Sequence, residues 1–278
     1  MKIFRSVSMT LERASVRALA AVAPQAVERL AVARFATPVR RENPARMPRG
    51  ETWTLHSGGR DVAVYTAGNG PRVLFVHGWE GSALDFASLS TVFRAAGFGV
   101  VSFDHPAHGR SAGTQTTLPE MARAVLDVAR ATGPFAAVVG HSLGAAAALL
   151  ALGNGLAARA AALIAPPRDA RYFLRLLTNA MGLSEARTMG AIALLERRTG
   201  KLSGLETDKI ARRILVPGLV LHDRGDRYVP FSHGEAIAAA WPGARLVPLS
   251  GLGHRRGLDA PHVHAEILNF VEKTLVTA

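Results

Sequence analysis

The stretch AVVGHSLGAAAALLAL, Ala137 to Leu152, breaks an apolar run at its centre. Ala137 to Gly140 reads as a strand covered on both faces, and Ala145 to Leu152 as a helix whose small side chains allow close packing. Between them stand His141 and Ser142, set between Gly140 and Gly144, a G-x-S-x-G spacing. A hydroxyl on a sharp strand-to-helix turn sits on strained backbone, and glycines two residues away on either side remove the side chains that would clash there. The helix that follows aims the positive end of its dipole at whatever reacts with the serine. In a chain with 27 glycines the spacing alone is a weak sign, and its strand-turn-helix setting gives it weight. A serine that merely caps a helix is the plainer reading of the same residues.

Outward from this turn, strands and helices alternate. Upstream, ETWTLHS and DVAVYTA around Gly58-Gly59 read as a hairpin, followed by the apolar strand RVLFVHG. A helix over Asp85 to Ala96, a strand from Gly99 to Asp104 and a helix from Leu118 to Ala131 lead to FAAVVG. Downstream come strands at Ala161 to Pro166, Gly218 to Asp223 and ARLVPL, with helices near Gly234 to Ala240 and from about Val263 to Leu275. Such alternation predicts an α/β fold with a doubly wound, mostly parallel sheet. Residues 167–213 contain helical stretches but no strong strand, which predicts an inserted helical cap within a main domain of residues 51–278.

Residues 1–50 differ in character. They hold ten basic residues against three acidic ones, part of a net charge of +12 over 278 residues. Leu11, Ala14, Ala18, Leu19 and Val22 recur at helical spacing. Pro24 then opens a second helix with Val27, Leu30, Ala31 and Phe35 on one face, stopped at Thr37-Pro38. The segment is expected to be a basic helical extension packed on the main domain, or else an amphipathic arm that contacts a membrane or a partner. Glu12, Arg13 and Arg17 interrupt any secretory apolar core. The basic residues are nearly all arginine, spread along the chain, and no nucleic-acid motif accompanies them, which argues against nucleic acid as a partner. No cysteine is present, so disulfides and thiol chemistry are excluded, and a cytoplasmic location is expected. No apolar run is long enough to span a bilayer.

A serine nucleophile needs a base, and the base needs an acid to orient it. For a strand-turn-helix serine the expected chain order is serine, acid, histidine. Asp226 in HDRGDRYVP and His254 in SGLGHRRG supply it, each just past a strand, at the sheet edge where open α/β sheets bind ligands. Asp223 competes as the acid, with Asp226 preferred because the turn carries it further over the edge. His262 and His264 are spaced by two, unlike paired ligands on one helical face, and are expected at the surface or as caps. His222 and His141 are read as structural. The oxyanion donors are expected to be the N–H groups of Leu143 and Trp79, the latter in His77-Gly78-Trp79-Glu80-Gly81. The Trp79 side chain is either a substrate wall or plain packing. The His77-Gly78 backbone is expected to shape the approach, and His141, although packed, is counted with them around the substrate.

The chain resembles the α/β-hydrolase superfamily over about residues 51–278. The resemblance rests on His77-Gly78-Trp79, DHPAHGRS (Asp104 to Ser111), Gly140 to Gly144, GDRYVP and Gly253-His254. An Asp followed four residues later by Pro commonly marks the acid in such families, which favours Asp226. Ala107 departs from the glycine that relatives usually carry before the His-Gly pair. Serine at position 142 implies acyl transfer, unlike relatives with an aspartate nucleophile. A carboxylic ester is the expected substrate; a thioester, a lactone or a carbon–carbon bond is the alternative, and a binding protein with this fold is a third. No cofactor or metal is implied. The cap arginines (Arg168, Arg171, Arg175, Arg187, Arg197 and Arg198) raise an anionic substrate or lipid surface as a further expectation.

Overall fold

The computed structural model describes residues 9–40 and 50–276. Its elements in chain order are α1 (Met9–Val22), α2 (Pro24–Ala36), β1 (Glu51–Ser57), β2 (Arg60–Ala67), β3 (Arg72–Val76), α3 (Ala87–Ala95), β4 (Gly99–Phe103), α4 (Leu118–Thr132) and β5 (Ala137–His141). There follow α5 (Leu143–Gly153), β6 (Ala161–Ile164), α6 (Ala170–Ala180), α7 (Glu185–Thr199), α8 (Thr207–Ala211), β7 (Gly218–Asp223), α9 (Phe231–Ala240), β8 (Ala244–Leu249) and α10 (Pro261–Val276).

Among the described residues eight strands form one sheet in the order β1-β2-β4-β3-β5-β6-β7-β8. β1, β2 and β4 pair antiparallel, and every pair from β4 to β8 is parallel. This is the doubly wound, mostly parallel sheet that the alternation predicts. β5, β6 and β7 are buried along their whole length, as strands covered on both faces must be. The edge strands β1 and β8 mix exposed and half-buried positions and are buried only at their last residues, Ser57 and Leu249.

Two apolar layers cover the sheet. On one face α4 and α5 bring Met121, Val125, Val128 and Leu149 against Leu74, Val76, Val138 and Leu163. On the other, Phe86, Leu89 and Phe93 with Val263, Ile267 and Val271 of α10 cover Val73, Phe75, Val139 and Leu221. Chain order reverses at β3, whose neighbours are β4 and β5. The crevice beyond the carboxyl ends of β3 and β5 is where such a sheet binds ligands.

The stretch expected as a cap divides in two. α6 and α7 share a separate apolar cluster, whereas α8 buries Ile210 and Ala211 in the same layer as α5. The separate cluster is completed from the N-terminal segment. Val27, Ala31 and Val32 of α2 are buried against Leu174, Leu177, Ala191, Ile192 and Leu195. Arg187 of α7 donates to Glu28 at 2.8 Å, and Arg40 donates to the carbonyls of Gly109, Ser111 and Gly113 at 2.6 to 2.7 Å.

The buried face of α2 is the expected one at Val27, Ala31 and Phe35 but not at Leu30, and the described part of α1 departs further. Leu30 is exposed, and Val32 and Ala36 are buried in its place. In α1, Val16 and Ala20 pack on the cluster while Ala18, Leu19 and Val22 are exposed. The physical reason is that the face is set by the cap helices beneath, not by where the apolar residues are densest. The side chains of Leu11 and Ala14 lie outside the described residues, as do the structures of residues 1–8 and 41–49, which carry much of the segment's basic charge. No described helix is long and apolar enough to cross a membrane.

Candidate active site

β5 delivers Ser142 to the crevice. Ser142 adopts φ 52° and ψ −127°, a conformation that costs a non-glycine residue about 1–3 kcal/mol and that the surrounding bonds impose. Its N–H donates to the carbonyl of Ile164 at 2.9 Å, and its carbonyl accepts from Ala145 N at 2.9 Å. The flanking glycines are required by close approach. A Cβ on Gly144 would lie 2.2 Å from the His77 carbonyl oxygen, and one on Gly140 would lie 2.6 Å from Ala145 Cα. The four alanines 145–148 are all buried, so α5 runs close against the sheet.

His254 meets this serine from the turn after β8. Its Nε2 lies 3.0 Å from Ser142 Oγ, and its Nδ1 lies 2.7 Å from Asp226 Oδ2. Because a carboxylate only accepts, Nδ1 carries the proton and Nε2 is left to accept from the serine hydroxyl. Asp226 Oδ1 accepts from the N–H groups of Tyr228 at 2.8 Å and Val229 at 3.0 Å. Burial by itself would raise the pKa of this carboxyl; hydrogen bonding with His222 and His254 and the Val229 N–H outweigh it and hold the group below the usual carboxylate range. Asp223 is occupied elsewhere. Its two oxygens accept from Gly225 N and Leu252 N, each at 2.7 Å, which ties the acid turn to the turn carrying His254.

The two expected donors stand at suitable places in the backbone. Leu143 is the first residue of α5, and the leading N–H groups of a helix have no partner within it. Trp79 is the second residue of the turn closed by Gly81 N to Gly78 O at 3.0 Å, a position whose N–H the turn itself does not use. Gly78 backs directly onto the serine turn: a Cβ there would lie 3.0 Å from Ser142 Cβ.

His77 and His141, counted around the substrate, do not line the cavity; both rings are buried in loop contacts, as the packed reading of His141 expects. His77 Nδ1 donates to Gly78 O at 2.8 Å and its Nε2 accepts from His105 N at 2.9 Å, so the residue shapes the Trp79 loop from beneath. His141 Nε2 donates to the carbonyl of His254 at 2.9 Å, with the rings 4.9 Å apart, and so anchors the backbone of the base. Burial lowers the pKa of both, and the nearby His254 adds to the effect at His141. His222 is buried with Nε2 donating to Val229 O at 3.0 Å and 3.5 Å from Asp226 Oδ2. His264 was expected at the surface or as a cap. It is buried instead, donating to Leu258 O at 2.6 Å because α10 begins earlier and folds back on the preceding turn. His262 is exposed.

A cavity of about 110 Å³ opens over Ser142. Trp79 and Leu143 form part of its wall beside the serine, and Thr116 and Thr117 contribute from the loop before α4. Pro167, Ala170, Phe173, Leu176 and Leu177 line it from the start of the cap, with Leu195 and Thr199 from α7. Arg34 and Phe35 of α2 complete it. Trp79 thus lines the cavity and also packs on the core layer of α4 and α5, with its ring 5.2 Å from that of His108. Apart from Trp79, Ser142 and Leu143, these wall residues carry no local motif that marks them.

The family model described as the alpha/beta hydrolase family matches residues 73–267, well over half of the chain. The chain belongs to the α/β-hydrolase family. Its fold is similar to that of an esterase from Pyrococcus furiosus, with a TM-score of 0.67 and 17% identity over 85% of this chain and 98% of that one. It is similar also to a putative lipase from Acinetobacter baumannii, with a TM-score of 0.63 and 17% identity over 82% of this chain and 93% of that one. The thioesterase domain from the curacin biosynthetic pathway gives a TM-score of 0.62 and 19% identity over 81% of this chain and all of that one. α1, α2, β1 and β2 of this α/β hydrolase precede the residues that the family model matches.

Proposed function

We propose that this α/β hydrolase cleaves carboxylic esters by acyl transfer through Ser142, His254 and Asp226. The observation that carries the reading is the hydrogen-bonded line from Ser142 Oγ through His254 to Asp226, at 3.0 and 2.7 Å, beneath an apolar cavity. His254 Nε2 takes the Ser142 proton as Oγ attacks the ester carbonyl. The N–H groups of Leu143 and Trp79 receive the oxyanion. His254 then gives the proton to the leaving alcohol, and the acyl group stays on Ser142. Water enters, loses a proton to His254 and attacks the acyl carbonyl, and that proton returns to Ser142 as the acid departs. Asp226, held anionic, keeps His254 in the tautomer that serves both steps and stabilises its cationic form.

Labelling by a fluorophosphonate probe and a panel of acyl nitrophenyl esters and thioesters, each run beside Ser142→Ala, test this reading. Wild type is expected to label and to turn over esters, and Ser142→Ala to do neither. Folded wild type that neither labels nor hydrolyses any member of the panel would leave a binding protein with a hydrolase fold. Preferential turnover of thioesters would move the assignment to a thioesterase.

A further inference from the structure

Helix α2 precedes the residues that define the family, yet its last turn forms part of the wall around Ser142. Phe35 adds to an apolar surface made by Phe173, Leu177 and Leu195. Arg34, beside it, is the one charged side chain lining the cavity among the described residues. Of the six cap arginines that give this region its basic character, five are engaged in ion pairs, and the sixth, Arg197, is exposed and does not line the cavity. Arg168 pairs with Asp208 at 3.1 Å, Arg171 with Glu196 and Glu206 at 3.3 Å, Arg175 with Glu185 at 2.7 Å, Arg187 with Glu28 at 2.8 Å and Arg198 with Glu120 at 3.5 Å. Among the described residues no carboxylate pairs with Arg34, and its side chain is exposed at the cavity. The helix dipole favours a cation in the last turn, which accounts for the sign of the charge but not for its place on this wall.

A guanidinium beside an apolar surface attracts an anion more strongly than one in open water, and it matches carboxylate, sulfate and phosphate oxygens two at a time. We propose that Arg34 binds an anionic group of the substrate, so that this enzyme takes acyl esters that are both apolar along the chain and negatively charged away from the scissile carbonyl. The proposal rests on the acyl-transfer reading of Ser142 and adds the substrate's charge. The cavity then divides its work: Phe35, Phe173 and Leu177 hold the chain, and Arg34 fixes which end of the molecule stays at α2.

Two paired comparisons test it. The nitrophenyl half-ester of adipate against nitrophenyl hexanoate places the charge on the acyl side. The hexanoate ester of a hydroxynitrobenzoate against that of nitrophenol places it on the leaving side. The anionic member is expected to be preferred in kcat/KM in one of the pairs, and that preference to fall about tenfold in Arg34→Gln. Arg29→Gln, an exposed arginine on α2 that does not line the cavity, is the control for net charge and is expected to leave the preference as it was. An unchanged preference in Arg34→Gln, or an equal fall in Arg29→Gln, overturns the proposal. Calorimetric binding of hexyl sulfate against hexanol needs no turnover. The ratio of the two affinities is expected to fall about tenfold in Arg34→Gln, and an unchanged ratio rejects the Arg34 site even if no ester is cleaved. Failure of fluorophosphonate labelling, by contrast, rejects only the acyl-transfer reading.

Discussion

Asp223 and Asp226 stand three residues apart at the end of one strand, and their oxygens have different partners. Asp226 faces His254, while Asp223 joins two backbone turns. On the proposed mechanism Asp226→Asn leaves His254 in the wrong tautomer, so kcat is expected to fall by roughly 10³- to 10⁴-fold in stopped-flow rates. It also weakens the bonds from Tyr228 N and Val229 N, so a melting curve should show a stability cost as well. Asp223→Asn should act mainly on stability. It weakens two charge-assisted bonds and is expected to cost about 1–3 kcal/mol in denaturant unfolding, with a smaller loss of rate. At the serine turn, Gly144→Ala would drive a Cβ into the carbonyl oxygens of Val76 and His77, and a loss of about 3 kcal/mol or more is expected. Ala107 shows the opposite case. It holds φ 67°, a backbone conformation that favours glycine, and its methyl is buried all the same.

At the scale of elements, α2 belongs physically to the cap. Its buried face closes an apolar cluster that α6 and α7 cannot close alone, and its carboxyl end is tied to the loop before α4 by Arg40 and by Thr116 N to Ala36 O at 2.9 Å. Val27→Asp would place an unpaired carboxylate in this cluster. It is expected to lower stability by about 3 kcal/mol or to detach the helix, seen as a fall in melting temperature together with new dye binding to exposed apolar surface. Phe35→Ala should open the cavity wall and shift the preferred acyl chain to greater length in a nitrophenyl ester series. A series whose optimum stays put would show that Phe35 does not bound the chain.

At the scale of the whole molecule, the protein stores a set of buried neutral imidazoles around the site. His77, His105, His108 and His141 all have lowered pKa values, first of all through burial, and that of His108 is brought down to about 3. In the unfolded chain these groups protonate near the ordinary histidine value of about 6.5. The unfolded state therefore binds more protons in acid. Stability is complete above about pH 6.5 and is withdrawn as pH falls toward the folded pKa values. His108 alone accounts for about 1.4 kcal/mol by pH 5.5. Denaturant unfolding measured from pH 7.5 to 5 should show this loss, and His108→Leu should reduce its slope by about one proton. A stability flat across that range would show that these imidazoles titrate alike folded and unfolded.

Much of this architecture was legible locally. Continuous apolar runs of strand length marked the covered strands, and Gly140-x-Ser142-x-Gly144 marked the turn, because both depend on side chains adjacent in sequence. The order of serine, acid and histidine, each after its own strand, gave the place of Asp226 and His254 at one sheet edge. Local pattern set the face of α2 at Val27, Ala31 and Phe35 but not its edge, because only the surface beneath selects Val32 and Ala36 over Leu30. Nor could it show which backbone carbonyls the rings of His77 and His141 brace. A histidine beside a reactive turn looks the same in sequence whether its ring meets substrate or a backbone carbonyl. The sequence determined the sheet, the turn and the reactive groups through contacts between near neighbours. Only the tertiary structure brought Arg34 and Phe35 to Ser142, because a cavity wall is made by packing elements that lie more than a hundred residues apart.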